Sequence, residues 1–201
     1  MQTGCERLIK VLHDGNEVQQ QSAAEALFNL ALDKEYKTAI ANAQGIAPLV
    51  NLLQVGSAKA KESAAGTLWL LALELDHKQK VGQAGAIPLL IALLQEGDID
   101  AKLHAVGSLR SLAIDKDIRN SIVRARGIEP IVGLLSCDDE EVAENAAGAL
   151  WNLSLDAEKA ACIVEMGAVT PLRQLLLGNE ETRNNAAGAL RSLGRQVVEP
   201  L

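Results

Sequence analysis

Histidine, cysteine and clustered carboxylates are the side chains most often recruited for chemistry, and in this 201-residue chain they do not assemble. His13, His77 and His104 stand far apart, and no two fall at i, i+4 beside a carboxylate, the spacing that would hold a metal or a general base. Cys5, Cys137 and Cys162 share no metal or redox spacing, so they fit free thiols in a reducing compartment, the cytoplasm or nucleus. No phosphate-binding loop, nucleophile elbow or dinucleotide fingerprint is present. Asp138–Asp139 and Glu140–Glu141 open a helical stretch, where acids suit the positive end of the helix dipole. His104 alone stands among residues that face a ligand in the reading below, where it would tune pH dependence if it were not simply solvated. The expectation is a chain that is not an enzyme, with no catalytic residue, cofactor or metal site.

What recurs is more informative than what titrates. The stretch Glu144–Asp156, E-N-A-A-G-A-L-W-N-L-S-L-D, returns as Q-S-A-A-E-A-L-F-N-L-A-L-D from Gln21, E-S-A-A-G-T-L-W-L-L-A-L-E from Glu62 and L-H-A-V-G-S-L-R-S-L-A-I-D from Leu103. These four copies lie 41 residues apart, and a fifth from Asn184 has lost one residue. A helical pattern with such a period predicts an α-solenoid whose repeats touch only their neighbours, an architecture for binding. The 48% apolar content comes mainly from Leu, Ala, Ile and Val, with four aromatics, which suits closely packed helices. A net charge of −7 excludes general binding to nucleic-acid backbones. No charged-then-apolar leader and no run of 18 apolar residues occurs, so neither export nor a membrane span is expected.

Each repeat parses into two short helices and a long one. Ile40, Val81, Ile122 and Ile163 form one apolar column on the first helix, which Asp115 caps in its repeat. The Gly45 and Gly127 column, with Ala86 and Ala168 in the other copies, reads as the break before the second helix. Pro48, Pro130 and Pro171 then suit that helix's first turn, and Pro88 falls one residue early. Gly15, Gly56, Gly97 and Gly178 stand where that helix should stop, a usual C′ position for glycine. The divisions are a truncated repeat at 1–33, repeats at 34–74, 75–115 and 116–156, and a C-terminal repeat at 157–201. The first repeat lacks its first helix, so Leu8, Val11 and Leu12 are expected to leave an apolar end open to self-association or to a preceding segment of a longer protein.

The patterns G-I-x-P-L-V-x-L-L and N-A-A-G-A-L-W-N-L-S, repeated at 41, resemble armadillo repeats along nearly the whole chain. The resemblance implies an all-α, right-handed superhelical solenoid with three helices per repeat, whose third helices line a concave groove for extended peptides. It also implies a peptide-binding asparagine on each third helix, at the positions here held by Asn29, Leu70, Ser111, Asn152 and Ser192. The tryptophan that importin-α carries four residues earlier is replaced by Glu25, Gly66, Gly107, Gly148 and Gly188. The wording is therefore closer to adaptor and U-box-associated arrays than to importin-α. The expected function is a protein-interaction scaffold. The alternatives are a structural or assembly module associating through its repeat ends, or the substrate-binding region of a ubiquitin ligase.

Helical geometry points to the same face. With Leu150 at the centre of the buried side, Ala146 and Leu153 lie within about 60° of it, while Gly148 and Asn152 fall near the opposite, open pole with Asn145 and Glu144 flanking. The column before the ladder, Phe28, Trp69, Arg110, Trp151 and Arg191, lies about 100° from the core centre and borders the groove. Three of the chain's four aromatics are in it. Tryptophan and arginine are enriched at binding hot spots; equally, the tryptophans could fill space between third helices with the arginines snorkelling past. If the column binds, the partner is an extended segment with apolar anchors and acidic residues.

Leu109 is the middle member of the core column, so Leu109→Asp should bury an unpaired carboxylate and destabilise the chain by about 3 kcal/mol or more. Denaturant unfolding monitored by far-UV circular dichroism checks this, and an unchanged midpoint would refute the parsing.

Overall fold

The computed structural model describes residues 2–198, and the side chains of residues 3–195. Among these residues every regular element is an α-helix, fourteen in all. The first pair is α1 (Gln2–Asp14) and α2 (Glu17–Leu30). Three-helix sets follow: α3 (Lys34–Asn42), α4 (Ile46–Val55) and α5 (Ala58–Ala72); then α6 (Leu75–Gln83), α7 (Ala86–Glu96) and α8 (Ile99–Leu112). The next are α9 (Lys116–Arg124), α10 (Ile128–Leu134) and α11 (Glu140–Leu153), and α12 (Ala157–Glu165), α13 (Val169–Leu175) and α14 (Glu180–Val198). None of the described helices is long and apolar enough to cross a membrane. The helices cluster into two compact units, residues 1–108 and 109–201.

Short polar side chains start the long helices. Asn16 and Gln19 form a reciprocal capping box, each side chain accepting a backbone N–H at 3.0 Å. The same column supplies Ser57, Asp98, Asp139 and Asn179, which accept from Ala60, Ala101, Val142 and Thr182. Asp139 is thus a cap, and Glu140 and Glu141 occupy the first turn of α11 beside the positive helix end. Leu27, Leu68, Leu109 and Leu150 are completely buried, as are Ile40, Val81, Ile122 and Ile163, which makes each unit's core a stack of the same two columns.

All four prolines of the second helices stand third in their helix, where the missing N–H has no intrahelical acceptor to lose. Pro88 is early because α7 begins one residue earlier in its repeat than α4 or α10 in theirs. The junctions and the first repeat differ in detail from the expectation. Gly45 and Gly127, read as the break before the second helix, keep right-handed angles, and the chain turns left-handed one residue before: Gln44 (φ 60°), Gly85 (φ 84°), Arg126 (φ 57°) and Gly167 (φ 81°). Gly45 is instead required by packing, since a Cβ there would lie 2.8 Å from Ile40 Cγ2. Gly56 and Gly97 do stand where α4 and α7 stop, in extended geometry, and a Cβ would press on the carbonyls of Leu52 and Leu93. At the first repeat, Leu12 is buried inside the unit, and only Leu8 and Val11 remain half-exposed.

A left-handed conformation costs an L-residue about 1–2 kcal/mol. Arg126 is exposed, so Arg126→Gly should stabilise the chain by up to about 1 kcal/mol, and Gly85→Ala should destabilise it by about 1 kcal/mol. Chemical denaturation of the two variants checks the signs; the same sign for both would refute the assignment.

Candidate binding face

In four of the five long helices one column is glycine, and a side chain from the preceding long helix lies across each. A Cβ at Gly66 would stand 2.5 Å from Phe28 Cε2, at Gly107 2.5 Å from Trp69 Cε2, and at Gly188 2.5 Å from Trp151 Cδ2. Arg110 lies over Gly148 in the same way, through its Nε. The two columns singled out in the sequence are therefore one device. Phe28, Trp69 and Arg110 are half-buried and Trp151 is 37% exposed, so one face of each group rests on helix backbone while the other remains accessible. Arg191 is exposed and donates from Nε to the Ala187 carbonyl of its own helix.

This packing overturns the expectation that Gly148, Asn145 and Glu144 mark an open pole. All three are buried, and Ser111 is as well. A helical wheel treats α11 alone, whereas here the preceding helix lays an arginine across it. Arg110 Nη1 donates to Asn145 Oδ1 at 3.2 Å and Nη2 to Asn185 Oδ1 at 3.1 Å, with Glu144 Oε1 3.5 Å away. Burial pushes the Glu144 carboxyl above its ordinary range, the charge of Glu181 adds to this, and Arg110 opposes it. The first unit uses the same column differently. His104 sits 4.9 Å from the Phe28 ring and 6.1 Å from the Trp69 ring, centroid to centroid, and its Nδ1 meets the Glu62 carbonyl at 3.2 Å. Facing a carbonyl oxygen, Nδ1 must carry the proton, so neutral His104 keeps Nε2 as an acceptor.

The ladder positions divide. Asn29 is exposed, whereas Asn152 is partly buried and donates from Nδ2 to the Arg110 carbonyl at 2.9 Å. Ser192 likewise donates to the Ser154 carbonyl at 3.0 Å. Asn152 thus joins neighbouring long helices through its side-chain amide N–H.

Sequence reasoning also missed a ladder of ion pairs between consecutive repeats. Lys37 Nζ lies 3.2 Å from Glu74 Oε1, and Arg119 Nε donates to Asp156 Oδ2 at 2.7 Å. Burial alone would raise Asp156, but Arg119 and Lys159 outweigh it and hold the carboxyl below its ordinary range. Their signal was readable: Asp33, Glu74, Asp115 and Asp156 recur at 41, as do Lys37, Lys78 and Arg119.

The model of the armadillo/beta-catenin-like repeat matches residues 33–73, 76–114, 115–155 and 156–195. No curated protein sequence matches the chain. Among solved structures, an engineered protein (Northeast Structural Genomics Consortium target OR329) is similar with a TM-score of 0.88 and 31% identity, covering 96% of this chain and 81% of that one. The designed armadillo repeat protein YIII(Dq)4CqI superposes with a TM-score of 0.84 at 27% identity, over 93% of this chain and 81% of its own. A further designed armadillo repeat protein, YIII(Dq.V1)4CPAF, solved in complex with the peptide (KR)4, has a TM-score of 0.82 and 28% identity, covering 94% and 81%.

Gly107→Leu should displace Trp69 and cost about 1–3 kcal/mol, with a shift in tryptophan emission. Glu144 has its folded pKa raised, so it binds protons more readily when folded and its contribution declines as pH rises from the ordinary carboxylate range through the folded value. Glu144→Gln should therefore flatten the loss of stability above that range and leave the chain at least as stable at pH 7. Melting curves across pH 4–8 check this; a large loss at pH 7 would show that the Arg110 pairing outweighs burial.

Proposed function

Because the chain belongs to the armadillo/beta-catenin-like repeat family, we propose that it is a protein-interaction scaffold whose long helices bind an extended peptide segment. The observation that carries this reading is the set of flat side chains on glycine. An aromatic ring fixed on one face by helix backbone has already lost its rotamer freedom, so a ligand meeting the other face incurs little ordering cost. In the first unit Phe28, Trp69 and His104 would take an apolar side chain, with Asn29 exposed beside them. In the second, Trp151 offers an apolar surface and Arg191 a charge for an acidic residue, while Arg110, Asn145 and Glu144 are engaged with one another. Arg110 would thus shape the face more than it attracts acids. The designed relative solved with a bound peptide supports peptide recognition by this fold.

A second reading, assembly through repeat ends, draws on the half-exposed Leu8 and Val11 of α1. Service as the substrate-binding region of a ubiquitin ligase is compatible with the first reading and requires the same face.

A peptide-display selection against the whole chain should yield extended binders. Trp69→Ala and Trp151→Ala should each weaken a selected peptide by about 2 kcal/mol with helicity retained. Normal binding by both variants would overturn the proposal.

A further inference from the structure

A second apolar column escaped the sequence reading. Leu32, Leu73, Ile114 and Leu155 recur at 41 and are 67%, 55%, 58% and 51% exposed. Leucines scattered singly over a surface need no explanation, but the same helix-end position left more than half exposed in four successive repeats is a property of the repeat. In the first unit the column is reinforced by Leu75, which is 77% exposed. The Lys37–Glu74 pair ties the first turn of α3 to the residue after Leu73, so the corners bearing Leu32 and Leu73 are neighbours.

The exposed charges on the turns carrying these leucines are Glu35, Asp76 and Asp33, the last also capping α3, against Lys34 and, one turn along α6, Lys80, Lys37 being engaged with Glu74. The acids also favour the N-terminal turns of α3 and α6, but their fields extend to the leucine surface and complement a basic partner. The local backbone is occupied: Asp33 N–H donates to the Leu30 carbonyl at 3.0 Å and Glu74 N–H to the Leu71 carbonyl at 3.1 Å. An extended peptide depends on main-chain hydrogen bonds for its affinity, whereas a helix brings its own bonds already made. Packed helices are spaced about 8–10 Å apart, close to the roughly 10 Å spanned by positions i and i+7 of an α-helix.

We propose that the corner formed by the ends of α2 and α5 and the starts of α3 and α6 is a second binding ridge, for an amphipathic helix whose apolar stripe is flanked by lysine or arginine. It uses none of the side chains on the glycine ladder, so the chain would carry two partner surfaces of different chemistry, one for an extended segment and one for a basic helix.

The test titrates the whole chain with an 18-residue helical peptide bearing leucines at i, i+3 and i+7 with flanking lysines, alongside a scrambled peptide of the same composition. Methyl NMR should show shifts at Leu32, Leu73 and Leu75 for the helical peptide only. Affinity should fall at least tenfold in Leu32→Ser/Leu73→Ser and in Glu35→Lys/Asp76→Lys, persist in Leu73→Met, and weaken with salt. Equal response to the scrambled peptide, shifts confined to the Trp69 indole, or unchanged binding by the serine variant would each overturn the ridge. A serine variant that melts well below the parent, paired with a charge-reversal variant that folds and binds normally, would assign the leucines to structure instead.

Discussion

Side chains lying flat on glycine set the register of the long helices. In the first unit Phe28 rests on Gly66 and Trp69 on Gly107; in the second Arg110 rests on Gly148 and Trp151 on Gly188. An aliphatic or aromatic face laid on bare helix backbone excludes water over a broad area without needing a complementary pocket, and dispersion over many atoms makes the contact strong although each pair contributes little. The glycine costs helix propensity, about 1 kcal/mol against alanine, and this contact offsets it. Only a residue without Cβ lets the neighbouring helix come close enough for the side chain to lie flat. Gly66 and Phe28 are therefore a single feature distributed over two repeats.

The consequence reaches the polar residues. With Arg110 held down across α11, its guanidinium meets Asn145 and Asn185, one on the next long helix and one on the helix after that. His104 stands to Trp69 and Phe28 as those asparagines stand to Arg110, reaching one repeat and two repeats back. The same backbone geometry therefore supports an aromatic cluster in one unit and a hydrogen-bonded cluster in the other. Changing the flat residue changes what its partner column must be. A hydrocarbon ring accepts an imidazole edge, while a guanidinium needs oxygens to satisfy its N–H groups.

Much of the fold was legible because repetition filters noise. The columns at Leu27 and Ile40, the prolines of the second helices and the cap at Asp115 each follow from one-helix chemistry and recur at a fixed lag. The errors arose where the cause lay in another helix or in dihedral angles. Gly148 looked solvent-facing on an isolated wheel because a wheel has no preceding repeat to place over it. Glu144 and Asn145 were misplaced for the same reason. The break was placed at Gly45, but the left-handed angle falls on Gln44 with glycine immediately after it, and on Gly85 with Ala86 after it. One glycine per junction is constant; its position is not. No property of a single residue would have revealed that.

The ion pairs sharpen the distinction between what a repeat fixes and what it leaves free. Asp115 caps α9 through its side chain, whereas Asp156, in the same column, spends its carboxylate on Arg119 and Lys159 and makes no cap bond. Glu74 follows Asp156, engaging Lys37 without capping α6. At Asp156 the carboxylate binds Arg119 of the preceding repeat and makes no cap bond to its own helix. There the repeat interface gains a charge-assisted bond, partly buried and so screened less than a surface pair. The exposed leucine just before that carboxylate recurs in four repeats and is the surface proposed above for a helical partner.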